Sequence, residues 1–198
     1  MPLIYTSKDR FSIFNSRNIH LFLGVFLILA TFFYDNYYKK RVLSFSGSFA
    51  EQGEKVDEIK EKPKSLPIKI KIESLGIDLE VEEGAIKDGV WQISENNVSH
   101  LNISKVPGEG GNIVIYGHNK KNLFGPIRWI KVGDEIKVLN QEGKEFSYRV
   151  KEALTLTPDA IEYVYPKEEE ILTLYTCTGA FDSKRFIVIA KPVNLITP

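Results

Sequence analysis

Short β-type runs separated by glycine-containing turns fill residues 66–198, and this pattern restricts the fold more than any other feature of the chain. In residues 67–72 apolar and basic side chains alternate, as expected of a half-buried strand. Further runs of this kind occur at residues 77–81, 112–118, 135–139, 146–150, 161–165, 171–177 and 185–190. Seven or eight short strands without a tandem repeat predict a β-barrel or β-sandwich, with a short helix or 3₁₀ turn at residues 123–130.

The only cysteine of the chain, Cys177, closes the apolar run at residues 171–177. A single cysteine cannot form an intramolecular disulfide, so it is a buried apolar filler, a stray thiol or a nucleophile that needs a base. Arg185 opens the next apolar run. Catalytic chemistry is therefore sought first at Cys177.

Three histidines are the candidate bases for that cysteine. His20 lies inside an apolar N-terminal stretch, and His100 lies among polar, turn-prone residues, where we expect a surface or loop position. His118 ends the β-type run at residues 112–118. This position at the end of a strand makes His118 the better candidate.

Strand periodicity predicts that both reactive residues lie on the less aliphatic face of their runs. In residues 171–177 one face carries Leu172, Leu174 and Thr176, and the other carries Thr173, Tyr175 and Cys177. In residues 112–118 one face carries Ile113 and Ile115, and the other carries Val114, Tyr116 and His118. The aliphatic faces are the predicted core.

Composition and motifs argue against several classes of function. Lys+Arg and Asp+Glu both number 26, so no net charge draws the chain to nucleic acid. The glycines at Gly108, Gly110 and Gly111 do not open a predicted helix, and the sequence carries no zinc signature, Walker loop or dinucleotide fingerprint. The acidic runs at 82–83 and 168–170 lack EF-hand spacing. We therefore predict neither a cofactor nor a metal ion.

Residues 19–34 form an apolar stretch without a charged residue. The stretch is slightly short for a membrane span, which takes about 20 residues at helical rise. Tyr34, Tyr37 and Tyr38 extend it with a possible interfacial aromatic belt. We predict a single membrane anchor. A cleaved signal peptide is the alternative, but the small residues at 48–50 lie far beyond the apolar stretch.

These observations divide the chain into four segments. They are an N-terminal segment at 1–18, a transmembrane anchor at 19–38, a flexible linker at 39–65 and a compact domain at 66–198. The linker is rich in Ser, Gly, Glu and Lys and buries too little apolar surface to order itself.

Residues 173–177, Thr-Leu-Tyr-Thr-Cys, resemble the TLxTC signature of the sortases, the membrane-anchored cysteine transpeptidases of bacterial surfaces. Residues 111–119, with their Gly-His pair, are similar to the histidine strand of that family. Residues 123–136 resemble the segment that follows in many members, and Arg185 matches the family arginine. The order histidine, cysteine, arginine also agrees, and the resemblance covers the whole predicted domain.

The resemblance implies a closed eight-stranded β-barrel with short helices, whose groove binds a C-terminal sorting signal of LPXTG type on a secreted protein. Cys177 would attack the carbonyl before the scissile bond and form a thioacyl enzyme. An amine on a cell-wall precursor or another protein subunit would then accept the acyl group, and water in its place would give hydrolysis. The family also implies a cytoplasmic segment at 1–18 and an extracytoplasmic catalytic domain at the cell membrane.

The same resemblance gives the site residues their expected roles. His118 would be the general acid and base, and Arg185 would donate hydrogen bonds to the substrate carbonyl as its oxygen gains charge. Candidate groove residues are Thr176, Tyr116, Asn119 and Tyr175, although ordinary packing explains them equally well. No acidic residue stands out in the sequence as a partner that orients His118.

Only residues 178–184 separate Cys177 from Arg185, so the loop beside the nucleophile is short. A short loop resembles the housekeeping or minor classes of sortase, with class D, E or F as the expectation, more than the large-looped classes that polymerise pilins. Two alternatives stay open: a tethered cysteine peptidase that only hydrolyses, and a non-catalytic peptide-binding β-domain.

Overall fold

A computed structural model of the chain describes residues 16–41, 65–87 and 90–193. Most of the predicted N-terminal segment and of the predicted linker lies outside these residues, as do residues 194–198. The chain forms two compact units, Met1–Lys39 and Lys40–Pro198. The first contains a helix and the second contains a β-barrel.

Helix α1 spans Ser16–Arg41 and is 26 residues long. Its sequence has no proline and a single glycine, Gly24, so nothing in it interrupts a helix. The described side chains of α1, at residues 19–34, are exposed. Within the described part of the chain, no helix combines the length and the apolar character that a membrane crossing needs. The anchor at 19–38 stays a prediction from the sequence.

The second unit contains ten strands in its described residues: β1 Pro67–Ile72, β2 Ile77–Gly84, β3 Ile86–Lys87, β4 Val90–Trp91, β5 Val98–Leu101, β6 Asn112–Gly117, β7 Glu135–Asn140, β8 Glu145–Leu156, β9 Ile171–Thr178 and β10 Lys184–Pro192. Eight of them close into a barrel in the order β1, β2, β5, β6, β9, β10, β8, β7. Strands β3 and β4 form a separate two-stranded sheet. The prediction of a closed eight-stranded barrel is confirmed.

Alternate positions of the barrel strands fill the interior with aliphatic side chains. They include Ile70, Ile113, Ile115, Val138, Val150, Leu172, Leu174 and Val188, all fully buried. The inward face predicted for residues 112–118 and 171–177 is therefore correct, because a strand with one buried face repeats its apolar residues every second position. The predicted short helix at 123–130 is also present, as a 3₁₀ helix at Gly125–Trp129.

The prediction of a strand at residues 161–165 is wrong. The structure has a 3₁₀ helix at Ile161–Tyr163, within the connection between β8 and β9. The Asn112 side-chain amide donates hydrogen bonds to the carbonyls of Tyr163 and Tyr165 at 2.9 and 3.0 Å. These bonds hold the connection against β6, and this tertiary contact overrides the local strand propensity.

The expectation that His100 lies on the surface or in a loop is also wrong. His100 belongs to β5 and is only 1% exposed. Its Nε2 lies 2.9 Å from the carbonyl oxygen of Lys105 and 3.1 Å from the hydroxyl of Ser104. Polar neighbours suggested a turn, but these contacts satisfy Nε2 of the imidazole in a buried position.

Candidate active site

Three adjacent strands place the predicted catalytic residues side by side. Strands β6 and β9 pair in parallel, with Gly117 opposite Thr176 as the last pair. His118 follows Gly117, and Cys177 follows Thr176. These two residues therefore continue the same register. On the other side of β9, Arg185 of β10 pairs directly with Cys177. Neighbouring strands are about 4.8 Å apart, so the three residues form a row across the barrel wall.

The row lies on the outer face of the barrel. Cys177 belongs to a second apolar cluster, here called the outer cluster, which consists of Trp91, Leu101, Val114, Tyr116, Val164, Tyr175, Cys177 and Ile187. None of these residues belongs to the interior cluster. Residues 114 and 116 share the face of His118, and residues 175 and 187 share the faces of Cys177 and Arg185. The alternation predicted from the sequence therefore sets the reactive face apart from the core.

Cys177 is nearly closed off from solvent, with 6% of its surface exposed. It lies one residue before the end of β9, in the outer cluster. This setting limits the access of bulk water to the thiol.

Trp91 packs over the floor of this face and was not singled out by the sequence. Its ring centroid lies 4.7 Å from that of Tyr116 and 5.6 Å from that of Tyr175. Tyr116 also donates a hydrogen bond from its hydroxyl to the carbonyl of Gln92. Burial raises the pKa of Tyr116 to about 12, so its hydroxyl remains a donor at neutral pH.

His118 directly follows β6 and is about one third exposed. Its Nε2 lies 3.3 Å from Oε1 of Glu95, and the other carboxylate oxygen of Glu95 lies 2.6 Å from Nζ of Lys120. The hydrogen bond from Lys120 and then the charge of His118 lower the pKa of Glu95, which is exposed to solvent. Glu95 is thus the acidic partner of His118 that sequence reasoning did not find.

The backbone at Gly117 is fixed by its close approach to β5 and by a hydrogen bond from Thr176. A Cβ atom on Gly117 would lie 2.9 Å from Cγ1 of Val98, so only glycine fits against β5 at this position. Thr176 points inward, is 1% exposed, and donates a 2.7 Å hydrogen bond from its hydroxyl to the Gly117 carbonyl. This bond fixes the backbone immediately before His118.

Arg185 is 2% exposed, although it carries a charge. Its Nη1 donates hydrogen bonds to the carbonyls of Asp182 and Lys184 at 2.8 and 3.0 Å. Phe181 and Asp182 both have left-handed backbone conformations, with φ of 55° and 57°. Since such conformations are strained for residues other than glycine, the guanidinium serves as a brace for this tight turn.

The electrostatics of Tyr175 link it to the neighbouring catalytic candidates. Burial raises the pKa of Tyr175, the charge and hydrogen bond of Arg185 lower it, and charge on Cys177 raises it. Tyr175 is 1% exposed. The charge on Cys177 and the charge on Arg185 therefore act on Tyr175 in opposite directions.

The remaining predicted groove residues occupy different positions. Tyr116 and Tyr175 belong to the buried floor of the outer face, whereas Thr176 points into the barrel. Asn119 is half-buried in the turn after His118. Among the described residues, no group of three or more histidine, cysteine and acidic side chains is arranged to hold a metal ion.

Comparison with known proteins identifies the family to which this barrel belongs. The family model described as the Sortase domain matches residues 70–193. The chain is a member of the sortase family, and the resemblance inferred from residues 173–177 and their companions is confirmed.

Two curated relatives agree with this assignment. Sortase A of Bacillus anthracis is 33% identical over 134 residues, which are 64% of this chain and 59% of the relative. Sortase D of Bacillus subtilis (strain 168) is 28% identical over 131 residues, which are 63% of each chain. The chain therefore spans 59% and 63% of the lengths of these curated relatives.

Solved structures show the same fold. A Clostridium perfringens Sortase D5 transpeptidase has 32% identity and a TM-score of 0.55, and the match covers 64% of this chain and 78% of that chain. Sortase A from Corynebacterium diphtheriae has 27% identity and a TM-score of 0.57, and the match covers 70% of this chain and 65% of that chain.

Proposed function

We propose that this protein is a cysteine transpeptidase that cleaves a C-terminal sorting signal and transfers the acyl group to an amine. The observation that carries the proposal is the row of His118, Cys177 and Arg185 on three neighbouring strands. Membership of the sortase family supports the same reaction. Cys177 is the nucleophile, His118 the general acid and base, and Arg185 the group that stabilises the oxyanion.

The first half-reaction forms a thioester. The Cys177 thiol passes its proton to His118, and the thiolate attacks the carbonyl carbon of the substrate, so that a C–S bond forms. Arg185 donates to the oxygen that gains charge. The C–N bond then breaks, and His118 returns the proton to the departing amine.

The second half-reaction regenerates the thiol. The incoming amine attacks the thioester carbon and gives a proton to His118, and the C–S bond breaks. The proton then returns from His118 to Cys177. Water in place of the amine follows the same course and gives a carboxylic acid, so hydrolysis is the side reaction that this site permits.

The substrate proposed for the site is an LPXTG-like signal on a secreted protein, and the acceptor is an amine of a cell-wall precursor or a protein subunit. We place the enzyme among the short-loop classes, D, E or F. The compact connection between β9 and β10, with its 3₁₀ turn at Ala180–Asp182, supports this placement. Relatives named Sortase D and Sortase D5 are consistent with it.

We also propose that residues 19–38 anchor the enzyme in the cell membrane, with the catalytic domain on the extracytoplasmic side. The uncharged apolar stretch at 19–34 supports this. The full-length chain should sediment with membranes after alkaline carbonate washing, and a chain lacking residues 1–41 should not. Recovery of the full-length chain in the soluble fraction would remove the anchor from the proposal.

The deciding experiment incubates the full-length protein with a library of LPXTG-like peptides, with and without triglycine, and analyses products and protein by mass spectrometry. Cys177→Ala is the matched control. We expect a Cys177 thioester that resolves to an amide when triglycine is present.

The other outcomes separate the alternatives. A thioester that gives only the acid, whatever the triglycine concentration, would show a hydrolytic peptidase. No adduct with any peptide, together with equal peptide binding by Cys177→Ala and the parent, would show a non-catalytic binding domain.

A further inference from the structure

We propose that Glu95 is a positioning residue that holds His118 by its Nε2 atom, so that Nδ1 exchanges the proton with Cys177. The role of Cys177 in this statement rests on the proposed function. The contact between Glu95 and His118 does not depend on it.

The Glu95 carboxylate is shared between two cations. Oε1 lies 3.3 Å from Nε2 of His118, and Oε2 lies 2.6 Å from Nζ of Lys120. Nε2 of His118 is shielded from solvent, and it makes no well-aligned hydrogen bond within the described residues. In that part of the chain, Glu95 is the acidic side chain within ion-pair distance of the imidazole.

The turn that carries Glu95 is itself held in place. The Ser94 amide donates to the Ser99 hydroxyl at 3.1 Å, and the Asn97 amide donates to the Ser94 hydroxyl at 3.1 Å. The Asn97 side chain donates to Glu82 of β2 at 2.6 Å. These bonds tie the turn to β2 and β5 on the side next to the catalytic strands.

The connection to His118 runs through paired strands. Ser99 of β5 pairs with Tyr116 of β6, two residues before His118. Lys120, two residues after His118, also donates to the backbone carbonyl of Glu95 at 3.2 Å. The Glu95 turn is therefore fastened to the chain on both sides of the histidine.

This arrangement has a chemical consequence that differs from its effect on stability. An exposed ion pair contributes little to folding, so loss of Glu95 should hardly change the unfolding free energy. A carboxylate beside an imidazole, however, selects which nitrogen carries the proton. The charged or titratable groups placed around the imidazole are Glu95 and Lys120 on one side, and Cys177 followed by Arg185 on the other.

Lys120 provides a matched control because it acts on the same carboxylate with the opposite sign. In Glu95→Gln the imidazole loses a negative neighbour. In Lys120→Met the Glu95 carboxylate no longer binds a lysine, so His118 is its remaining partner among the residues that the structure describes. If the pair only stabilised the turn, both variants would loosen the same contact and change His118 in the same direction.

The test is an NMR measurement of the ring-nitrogen chemical shifts of the histidines, at one pH, in the full-length parent, Glu95→Gln and Lys120→Met. The chain has three histidines, so the signals are few, and His118→Gln identifies the one that belongs to His118. We expect the proton of the neutral His118 ring on Nε2 in the parent and in Lys120→Met, since the Glu95 carboxylate accepts from that atom. In Glu95→Gln this preference should weaken, and the two tautomers should mix.

An unchanged tautomer in Glu95→Gln, or an equal change in both variants, would overturn the proposal. Thermal melting confirms that each variant is folded. The tautomer measurement needs neither a peptide nor turnover, so its failure is distinguishable from failure of the transpeptidase proposal. With an active peptide, Glu95→Gln should lower kcat about 3- to 10-fold with little change in KM, and Glu95→Asp should restore part of the loss.

Discussion

On β6 and β9, most of the side chains that point into the barrel are aliphatic, whereas the aromatic and reactive side chains point outward. The inward group is Ile113, Ile115, Leu172 and Leu174, all in the interior cluster. The outward group is Val114, Tyr116, Tyr175 and Cys177 in the outer cluster, with His118 just beyond the strand. Neighbouring residues of one strand therefore have different roles, because one belongs to the interior of the barrel and the next to the candidate active site.

The two faces also differ in the kind of contact they make. Inward contacts are apolar and non-directional, so they supply stability and tolerate changes that conserve volume. Outward contacts include hydrogen bonds and ion pairs, such as those of Tyr116 and His118, whose value depends on distance and angle. Substitutions one to three residues apart should therefore separate stability from activity.

The largest effect is expected on the outward face at Cys177. Cys177→Ala removes the proposed nucleophile, so the transpeptidation rate should fall by at least about 10³-fold. Peptide turnover measures this loss, and urea unfolding should show nearly the parental stability because only a small group is removed. Retention of a large part of the activity would contradict the assignment of the nucleophile.

Leu174→Ala tests the inward face three residues earlier. Leu174 is 0% exposed, and its truncation should lower the free energy of unfolding by about 2–5 kcal/mol, through lost burial and a residual cavity. Urea unfolding monitored by tryptophan fluorescence gives the value. At low temperature, where the variant is folded, activity per folded molecule should stay within a few-fold of the parent. A variant as stable as the parent but inactive would contradict the inference that inward side chains supply stability and outward side chains supply activity.

Arg185→Lys sharpens the comparison within the outward face. Lysine keeps the charge but loses the planar guanidinium, whose Nη1 donates to both the Asp182 and the Lys184 carbonyls. We expect kcat to fall about 10²- to 10³-fold, as for loss of an oxyanion donor. Steady-state kinetics with a cleaved peptide provides the measurement, and a loss under about two-fold would remove the oxyanion role.

Thr176 connects the two faces, since its inward hydroxyl fixes the backbone before His118. Thr176→Val keeps the shape but leaves the Gly117 carbonyl unsatisfied in a buried place. The expected cost is about 1–2 kcal/mol of stability together with a modest fall in kcat. Thr176→Ser keeps the donor and should recover most of both losses, as urea unfolding and kinetics can determine. Equal behaviour of the two variants would show that the hydroxyl is not the relevant group.

The smallest effect concerns alkaline stability and Tyr116. Burial raises the pKa of Tyr116 to about 12, above the value near 10 in the unfolded chain. The unfolded chain therefore loses this proton first, and the stability contributed by neutral Tyr116 is lost as pH rises from about 10 to about 12. Tyr116→Phe should flatten this decline, as urea unfolding at several alkaline pH values can test. Tyr148 and Tyr175 also have raised pKa values, so part of the decline should remain.

Sequence periodicity was sufficient for a β fold and for the separation of two faces, whereas the choice of a closed barrel over a sandwich came from the resemblance to the sortases. The period of two is local information, and it correctly divided residues 112–118 and 171–177 into inward and outward sets. It failed at residues 161–165, where Asn112 holds the segment as a 3₁₀ turn. The polar neighbours of His100 were also misleading, because this residue is buried in β5.

The contacts around His118 could not be predicted in the same way. Glu95 lies 23 positions before His118, in a turn whose direction depends on the parallel pairing of β2 and β5. No local pattern specifies that pairing. Trp91 likewise reaches the outer cluster from β4, in the connection between the parallel strands β2 and β5.

The parallel pairing of β6 with β9 also governs when the protein acquires its site. Parallel strands cannot be joined by a hairpin, and here β7 and β8 are formed from the chain between them. Such a non-local pair closes slowly, because loop entropy is lost before its contacts form. His118 and Cys177 therefore become neighbours only once β6 and β9 have paired. On the proposed function, a newly made molecule would gain its Cys–His pair late in folding, together with the closed barrel.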